Sequence, residues 1–256
     1  MTEPQFESLE NFRITKAPPS VLYVPNFITD NEASYFWDQV HAAPKVKWTA
    51  LKDRRLQNWG GTQTAKGMIA EPLPRWLQLL AERMHTTGVF GSLVPNHVLV
   101  NEYLPGQGIM PHEDGPFFSP VITTINLGSH CVIKFYRPRD SDIVSETANG
   151  REGSDSDNPA TTNSRHSLES RRVTSLFLEP NSLLVLREDM YTRFLHGIEP
   201  VPQDSLAEVR ATCANAAQCP SLAAASDDVL ARSTRVSLTI RHAPNTIKLK
   251  FKLGGK

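Results

Sequence analysis

The sequence predicts an α+β fold, an antiparallel sandwich or jelly roll behind an N-terminal helical layer, with two surface insertions. Three observations point there. Capped helical patterns are confined to the N-terminal third of the chain. From Asn96 onward the apolar runs are short, alternating and separated by turn residues. Helices do not alternate regularly with those runs, as a parallel α/β sheet would require.

In chain order, "SVLYVPNF" reads as a strand. "TDNEASYFWDQVHAA" then reads as a helix, with Thr29 and Glu32 spaced as a capping box. A second helix is expected in "LPRWLQLLAERMHTTG", where Trp76, Leu79, Leu80 and Met84 share a core-facing stripe and Gly88 supplies the stop. Eight strand signals follow: "HVLVNEYL", "VITTINLGS", "CVIKFYRP", "VTSLFLEP", "SLLVLRED", "TRFLHGI", "RVSLTIRHA" and "TIKLKFKL". Two segments interrupt them. Residues 139–172 are polar, aromatic-free and rich in Ser, Asp and Asn, so a disordered surface insertion is expected. Residues 203–231 are more apolar and Ala-rich, with room for a short helix. The whole chain, 1–256, reads as one domain: 18–92 helices and a lid, 93–253 the β core.

The chain has 256 residues, 39% hydrophobic and 21% charged, enough for a sizeable core. A formal net charge of zero gives no global attraction to nucleic acid or an anionic membrane, so such affinity must come from local patches. No run approaches the roughly 18 apolar residues of a membrane span, and the acidic, polar "MTEPQFESLENF" is unlike a secretory signal. The expectation is a monomer of the cytoplasm and nucleus without a membrane partner. Cys131, Cys213 and Cys219 are an odd count without a CxxC, which points to free thiols.

In "YLPGQGIMPHEDGPFFSP", His112 and Asp114 stand two apart, so in an extended chain both side chains point to one face and can converge on an ion. A polar turn would look the same. His196 in "TRFLHGI" is the next strand histidine flanked by apolar residues; it reads either as a third ligand or as a hydrogen-bonded core histidine. Two histidines and one carboxylate suit non-haem Fe(II) chemistry with O₂, and equally a zinc hydrolase with a bound water. In "RVSLTIR", Val236, Leu238 and Ile240 alternate with Arg235, Ser237, Thr239 and Arg241. An edge strand with a wet polar face would alternate in the same way. If the polar face is interior, two guanidinium groups need anionic partners, and a dicarboxylate would supply both.

The stretch "KVKWTALKDRRLQNWGG" sets Lys45, Lys47, Lys52, Arg54 and Arg55 against Asp53 alone, with Trp48 and Trp59 interleaved. Basic groups for phosphates and aromatics for bases are used to hold single-stranded nucleic acid. A solvated loop with core-packed tryptophans gives the same pattern. "TIKLKFKLGGK" alternates Lys248, Lys250 and Lys252 with apolar residues, as an edge strand protected from aggregation does.

Taken together, these motifs resemble the AlkB-like Fe(II)/2-oxoglutarate dioxygenases over roughly residues 19–136, 173–200 and 232–253. The family's Asn-x-Tyr, Pro-Gly and His-x-Asp series is matched by Asn101, Tyr103, Pro105, Gly106, His112 and Asp114. Its His-Gly-Ile is matched at His196, and its paired arginines at Arg235 and Arg241. The Lys-Trp-Thr, "LQNWGG" and "EYLPGQGIMPHEDGP" stretches are most similar to one branch, the sixth AlkB homologues of animals and plants. The resemblance implies a double-stranded β-helix (jelly-roll) core in which His112, Asp114 and His196 hold Fe(II). Asn101, Tyr103, Arg235, Ser237, Thr239 and Arg241 would bind 2-oxoglutarate as cosubstrate beside O₂, with Arg235 on the distal carboxylate. Trp48, Arg54, Arg55 and Trp59 would contact single-stranded or locally melted nucleic acid. The implied reaction is decarboxylation of 2-oxoglutarate to succinate and CO₂ coupled to hydroxylation of an N-methyl group, which leaves as formaldehyde. Ser237 replaces a family asparagine, and Pro116 replaces the aspartate with which bacterial AlkB reads its substrate. Two other classes remain expectations: a nucleic-acid binding module with little turnover, and a hydroxylase acting on protein.

Overall fold

The computed structural model describes residues 9–139 and 167–247. The strands are β1 (Val21–Val24), β2 (Trp48–Leu51), β3 (Arg54–Trp59), β4 (Gly61–Thr64), β5 (Gly67–Ala70), β6 (His97–Tyr103), β7 (Ile109–His112), β8 (Val121–Gly128), β9 (Cys131–Tyr136), β10 (Arg172–Leu178), β11 (Leu183–Arg187), β12 (Leu195–Ile198), β13 (Gln203–Ser205), β14 (Val229–Ala231), β15 (Arg235–Arg241) and β16 (Thr246–Ile247). The helices are α1 (Asp30–His41), α2 (Arg75–Thr86), α3 (Asp189–Thr192), α4 (Leu206–Thr212) and α5 (Pro220–Ala224).

A major sheet in the order β1-β11-β8-β15-β6-β3-β2 faces a minor sheet in the order β10-β9-β12-β7. The strand alternation sorts side chains between two cores. Leu22, Val98, Val100, Ile125, Leu127, Val185, Val236, Leu238 and Ile240 pack on the outer face of the major sheet against Phe36 and Val40 of α1 and Trp76, Leu77, Leu80 and Met84 of α2. Tyr23, Ile122, Leu184 and Leu186 face inward, toward Ile133, Phe135, Leu176 and Ile198 of the minor sheet. The layers are therefore helices, major sheet and minor sheet: the jelly-roll core with its N-terminal helical layer.

Thr29 caps α1 as the spacing required, with Thr29 Oγ1 and Glu32 each accepting a backbone N–H from the other residue. Gly88, at φ 76°, follows α2 in the left-handed conformation its stop needs. Leu79 departs from expectation: it is 47% exposed, while Leu77 is fully buried. The buried stripe runs through Trp76, Leu77, Leu80, Ala81 and Met84, so the helix is turned one position from the predicted face.

The expected lid is not a loop. Residues 48–59 form the β2–β3 hairpin, which extends the major sheet beyond β6. Polar residues on both faces of β3 hid the strand from hydropathy. The segment 203–231 holds α4 and α5 and is closed at its base by β13 pairing with β14. It is packed more firmly than a surface insertion need be, since Leu206, Val209, Cys213, Cys219 and Leu222 join the core. Asn215 clamps it to β10, accepting from the Phe177 N–H at 2.8 Å and donating to the Phe177 carbonyl at 2.7 Å. The three cysteines are free and buried. Among the described residues, no helix is long and apolar enough to cross a membrane. Most of the 139–172 insertion and the lysines Lys248, Lys250 and Lys252 lie outside the described residues.

Candidate active site

β7 and β12 pair as neighbouring antiparallel strands with His112 directly opposite His196. β7 is an edge strand, which is why Pro111, lacking an N–H, is tolerated beside the ligand position. Asp114 lies just beyond the strand end, and Tyr191 of α3 pins the following turn by donating to the Gly115 carbonyl at 2.6 Å. One ligand atom from each of His112, Asp114 and His196 falls within 4.8 Å of the others. Asp114 Oδ1 accepts from Arg241 Nη2, whereas Asp114 Oδ2, 3.7 Å from His196 Nε2, is buried without a hydrogen-bond partner. A buried carboxylate oxygen left unpaired beside two imidazoles is costly unless a cation completes it. His112 Nδ1 donates to the Met110 carbonyl at 2.8 Å, which leaves Nε2 as the lone-pair nitrogen. Burial pushes the His196 pKa down to about 4, against the opposing pull of Asp114, so this imidazole is neutral, the form that binds a metal. The donor set fits an Fe(II) ion and leaves coordination positions free for other ligands.

The polar face of β15 points inward. Arg235, Ser237, Thr239 and Arg241, with Asn101 and Tyr103 of β6, line a cavity of about 210 Å³ that also reaches His112, Asp114 and His196. Arg235 is 5% exposed and donates to Asn126 Oδ1 at 2.6 Å, yet its Nε is unpartnered and no carboxylate pairs with it among the described residues. A buried guanidinium held by a neutral amide and the face of the Tyr103 ring, with no carboxylate, calls for an anion. Asn126 is a site residue that sequence reasoning missed. In "VITTINLG", polar residues at Thr124 and Asn126 share one face of the strand with Ile122, and that was the available signal.

The cavity opens at His112 into a groove of about 510 Å³. One wall is the β2–β3 turn, Leu51 to Arg54; the other includes Met110, Tyr136, Ile198 and Pro200. Of the four lid residues expected near a substrate, only Arg54 is on this side. The β3–β6 register places Arg55 opposite Glu102 and Trp59 opposite Val98, so both turn to the helix face. There Glu102 receives Arg55 Nε at 2.6 Å and Arg55 Nη2 at 2.8 Å, with His41 Nε2 2.9 Å away. The Arg55 guanidinium lies 4.0 Å over the Trp48 ring. Trp48 and Trp59 are half-buried against the helix-side core, and Trp59 Nε1 donates to Gln57 Oε1 at 2.9 Å. The expectation that Trp48, Arg55 and Trp59 contact nucleic acid at this site is therefore corrected: period-two alternation aims them at the opposite face.

Two expected outcomes follow. Trp59→Ala should lower stability by about 1–3 kcal/mol, through lost packing and an orphaned Gln57 oxygen, while 2-oxoglutarate affinity stays as in the wild type. A melting curve beside a calorimetric titration checks both. Gly197→Ala should disturb the metal site more than the fold. Its Cβ would stand 2.9 Å from the Pro111 nitrogen and 3.0 Å from the Ile109 oxygen, forcing β12 away from β7 and His196 from His112. Such overpacking costs about 1–3 kcal/mol. Unaltered metal affinity in a folded Gly197→Ala protein would contradict that geometry.

The comparisons agree with this architecture. A family model described as the 2OG-Fe(II) oxygenase superfamily matches residues 27–241. "Probable RNA/DNA demethylase ALKBH6" of Danio rerio is 46% identical over 248 residues, covering 97% of this chain and 96% of the relative. "Alkylated DNA repair protein ALKBH8 homolog" of Arabidopsis thaliana is 27% identical over 240 residues, covering 89% of this chain and 59% of that protein. Among solved structures, "The structure of OsALKBH1" superposes with a TM-score of 0.50 at 13% identity, covering 88% of this chain and 99% of the other, a likeness of fold.

Proposed function

This chain belongs to the 2OG-Fe(II) oxygenase superfamily, and from that premise we propose that it demethylates N-methylated nucleic acid, with His112, Asp114 and His196 as the iron ligands. It is an Fe(II)/2-oxoglutarate-dependent dioxygenase, with O₂ as cosubstrate giving one oxygen atom to succinate and the other to the hydroxylated substrate. The observation that carries the site assignment is a pair of unmet groups in one cavity: the Asp114 Oδ2 left without a hydrogen-bond partner and the Arg235 guanidinium left without a carboxylate. A cation answers the first, and a dicarboxylate answers the second.

When bound, Fe(II) supplies O₂ activation coupled to decarboxylation of 2-oxoglutarate to succinate and CO₂, which provides the oxidising power for a C–H bond. The protein's own part is orientation and exclusion of water. Arg235 would take the distal carboxylate as a charge-assisted pair at the buried end of the cavity. Arg241 holds Asp114 Oδ1, so that Oδ2 stays turned toward the two imidazoles. The apolar walls, among them Ile122, Ile133 and Leu186, keep the cavity dry. His112 stands where cavity meets groove, so a methyl group entering from the groove arrives beside the ligand cluster. Once hydroxylated, an N-methyl group leaves as formaldehyde.

Support for nucleic acid comes from the Danio rerio relative and from the cationic side chains Lys52 and Arg54 on the groove wall. A second reading, hydroxylation of a protein side chain, is favoured by the aliphatic character of that groove. Leu51, Met110 and Leu168 are exposed there, and Tyr136 is its one aromatic among the described residues. Succinate and formaldehyde release over a panel of methylated oligonucleotides and peptides separates the two. Turnover with formaldehyde on oligonucleotides alone supports demethylation of nucleic acid. Turnover confined to peptides would replace it.

A further inference from the structure

The β2–β3 hairpin carries adjacent arginines that the sheet sends to opposite faces. Arg55 is satisfied on the helix side by Glu102 and Trp48. Arg54 reaches the site side, where its Nε donates to Asn101 Oδ1 at 3.1 Å. Arg54 and His112 are the two polar side chains that line both the cavity and the groove, and only Arg54 carries a fixed positive charge. Its charge also reaches the buried Tyr103 phenol on the cavity wall. The terminal nitrogens of Arg54 make no hydrogen bond among the described residues.

We propose that Arg54 is a positioning residue for the cosubstrate: from the hairpin above the groove, it holds the Asn101 amide in the orientation that binds 2-oxoglutarate. The inference rests on reading the cavity as the 2-oxoglutarate site. An asparagine amide can present either its oxygen or its NH₂ to a ligand, and the choice is set by whatever fixes the other end. Arg54, which has only donors, fixes the oxygen. The NH₂ is then the end left to donate to a carboxylate or keto oxygen; with the amide reversed, Asn101 would turn an acceptor toward an anion. Asn101 is 6% exposed, so the reversed amide would have little water to compensate it. Because Arg54 belongs to the hairpin and Asn101 to β6, the seating of the hairpin and the affinity for 2-oxoglutarate become one equilibrium. A ligand in the groove that holds the hairpin down tightens the cosubstrate, and the cosubstrate tightens it reciprocally.

The test is a double-mutant cycle on 2-oxoglutarate binding, measured by calorimetry with Mn(II) in place of iron and no turnover. Arg54→Ala and Asn101→Ala should each weaken 2-oxoglutarate by about tenfold, as losing a hydrogen bond to a charged group does. The double variant should be no weaker than the worse single one, since both changes remove one interaction. Arg54→Lys should fail to restore binding, because a point charge lacks the fixed Nε–H. An unchanged 2-oxoglutarate dissociation constant in Arg54→Ala would overturn the proposal, and so would losses that multiply in the double variant. Arg235→Leu in the same assay tests the cavity itself: if that variant binds as wild type, the 2-oxoglutarate reading fails independently of Arg54.

Discussion

Asp114→Ala should abolish metal retention while leaving a folded protein. Two effects on folding oppose each other. The substitution relieves the buried, unpartnered Oδ2, which is costly without a cation, but strips Arg241 of the carboxylate that receives its Nη2. Net stability therefore changes little compared with the binding loss. Removing an outer partner of a ligand typically costs 10–100-fold in metal affinity, and removing a ligand outright costs more than about 100-fold. Asp114→Asn separates the contributions further, because it keeps the acceptor for Arg241 while removing the negative charge from the cluster. Metal content by atomic emission after gel filtration, beside a melting curve, checks both variants. Wild-type stoichiometry in Asp114→Ala would remove Asp114 from the ligand set.

Arg235→Leu should act differently on the empty and the liganded protein. In the absence of 2-oxoglutarate the native guanidinium is buried against the Asn126 amide and the Tyr103 ring with no carboxylate to pair it, so the shorter apolar side chain should leave the melting temperature little changed. With 2-oxoglutarate present, the variant should show almost none of the ligand-induced stabilisation that mass action gives the wild type. Truncating one partner of a buried charge pair costs about 2–5 kcal/mol, which corresponds to roughly 30-fold to more than 1,000-fold in affinity. Iron binding should persist, because Arg235 touches none of the three ligand residues. A variant that loses 2-oxoglutarate and metal together would place Arg235 in the fold rather than at the cosubstrate.

Much of the core of this site was legible in the sequence. Alternation sorted β15 into two faces and the family resemblance pointed the polar one at the site: the apolar face meets the helices, and Arg235, Ser237, Thr239 and Arg241 line the cavity. His112, Asp114 and His196 were legible as candidate ligands, and β-pairing brings them together across β7 and β12. The lid was less legible, for a physical reason. A period of two states which residues share a face, but not which face fronts the site. In β3 both faces are polar, so nothing in hydropathy distinguishes Arg54, which borders the cavity, from Arg55, which is spent on Glu102. Trp48 and Trp59 resembled a base-stacking surface because aromatic rings beside cations serve equally in a protein core, and here they pack on the helix side. β7 escaped hydropathy because Pro111 sits inside a four-residue edge strand. Leu79 was misplaced because a helical stripe is wide enough for two neighbouring leucines to qualify, and packing selected Leu77.

The central claim is that one cavity holds both an Fe(II) ion on His112, Asp114 and His196 and a 2-oxoglutarate whose far carboxylate meets Arg235. Its most direct test is an anaerobic titration followed by visible absorption. Chelation of Fe(II) by the 2-oxo acid produces a charge-transfer band that neither component gives alone. That band is expected in the wild-type protein at one equivalent of each. No band is expected in Asp114→Ala at any 2-oxoglutarate concentration, and in Arg235→Leu a band is expected only at much higher 2-oxoglutarate. Stoichiometric iron binding with no band on saturating 2-oxoglutarate would contradict the central claim, leaving a metal site without its cosubstrate.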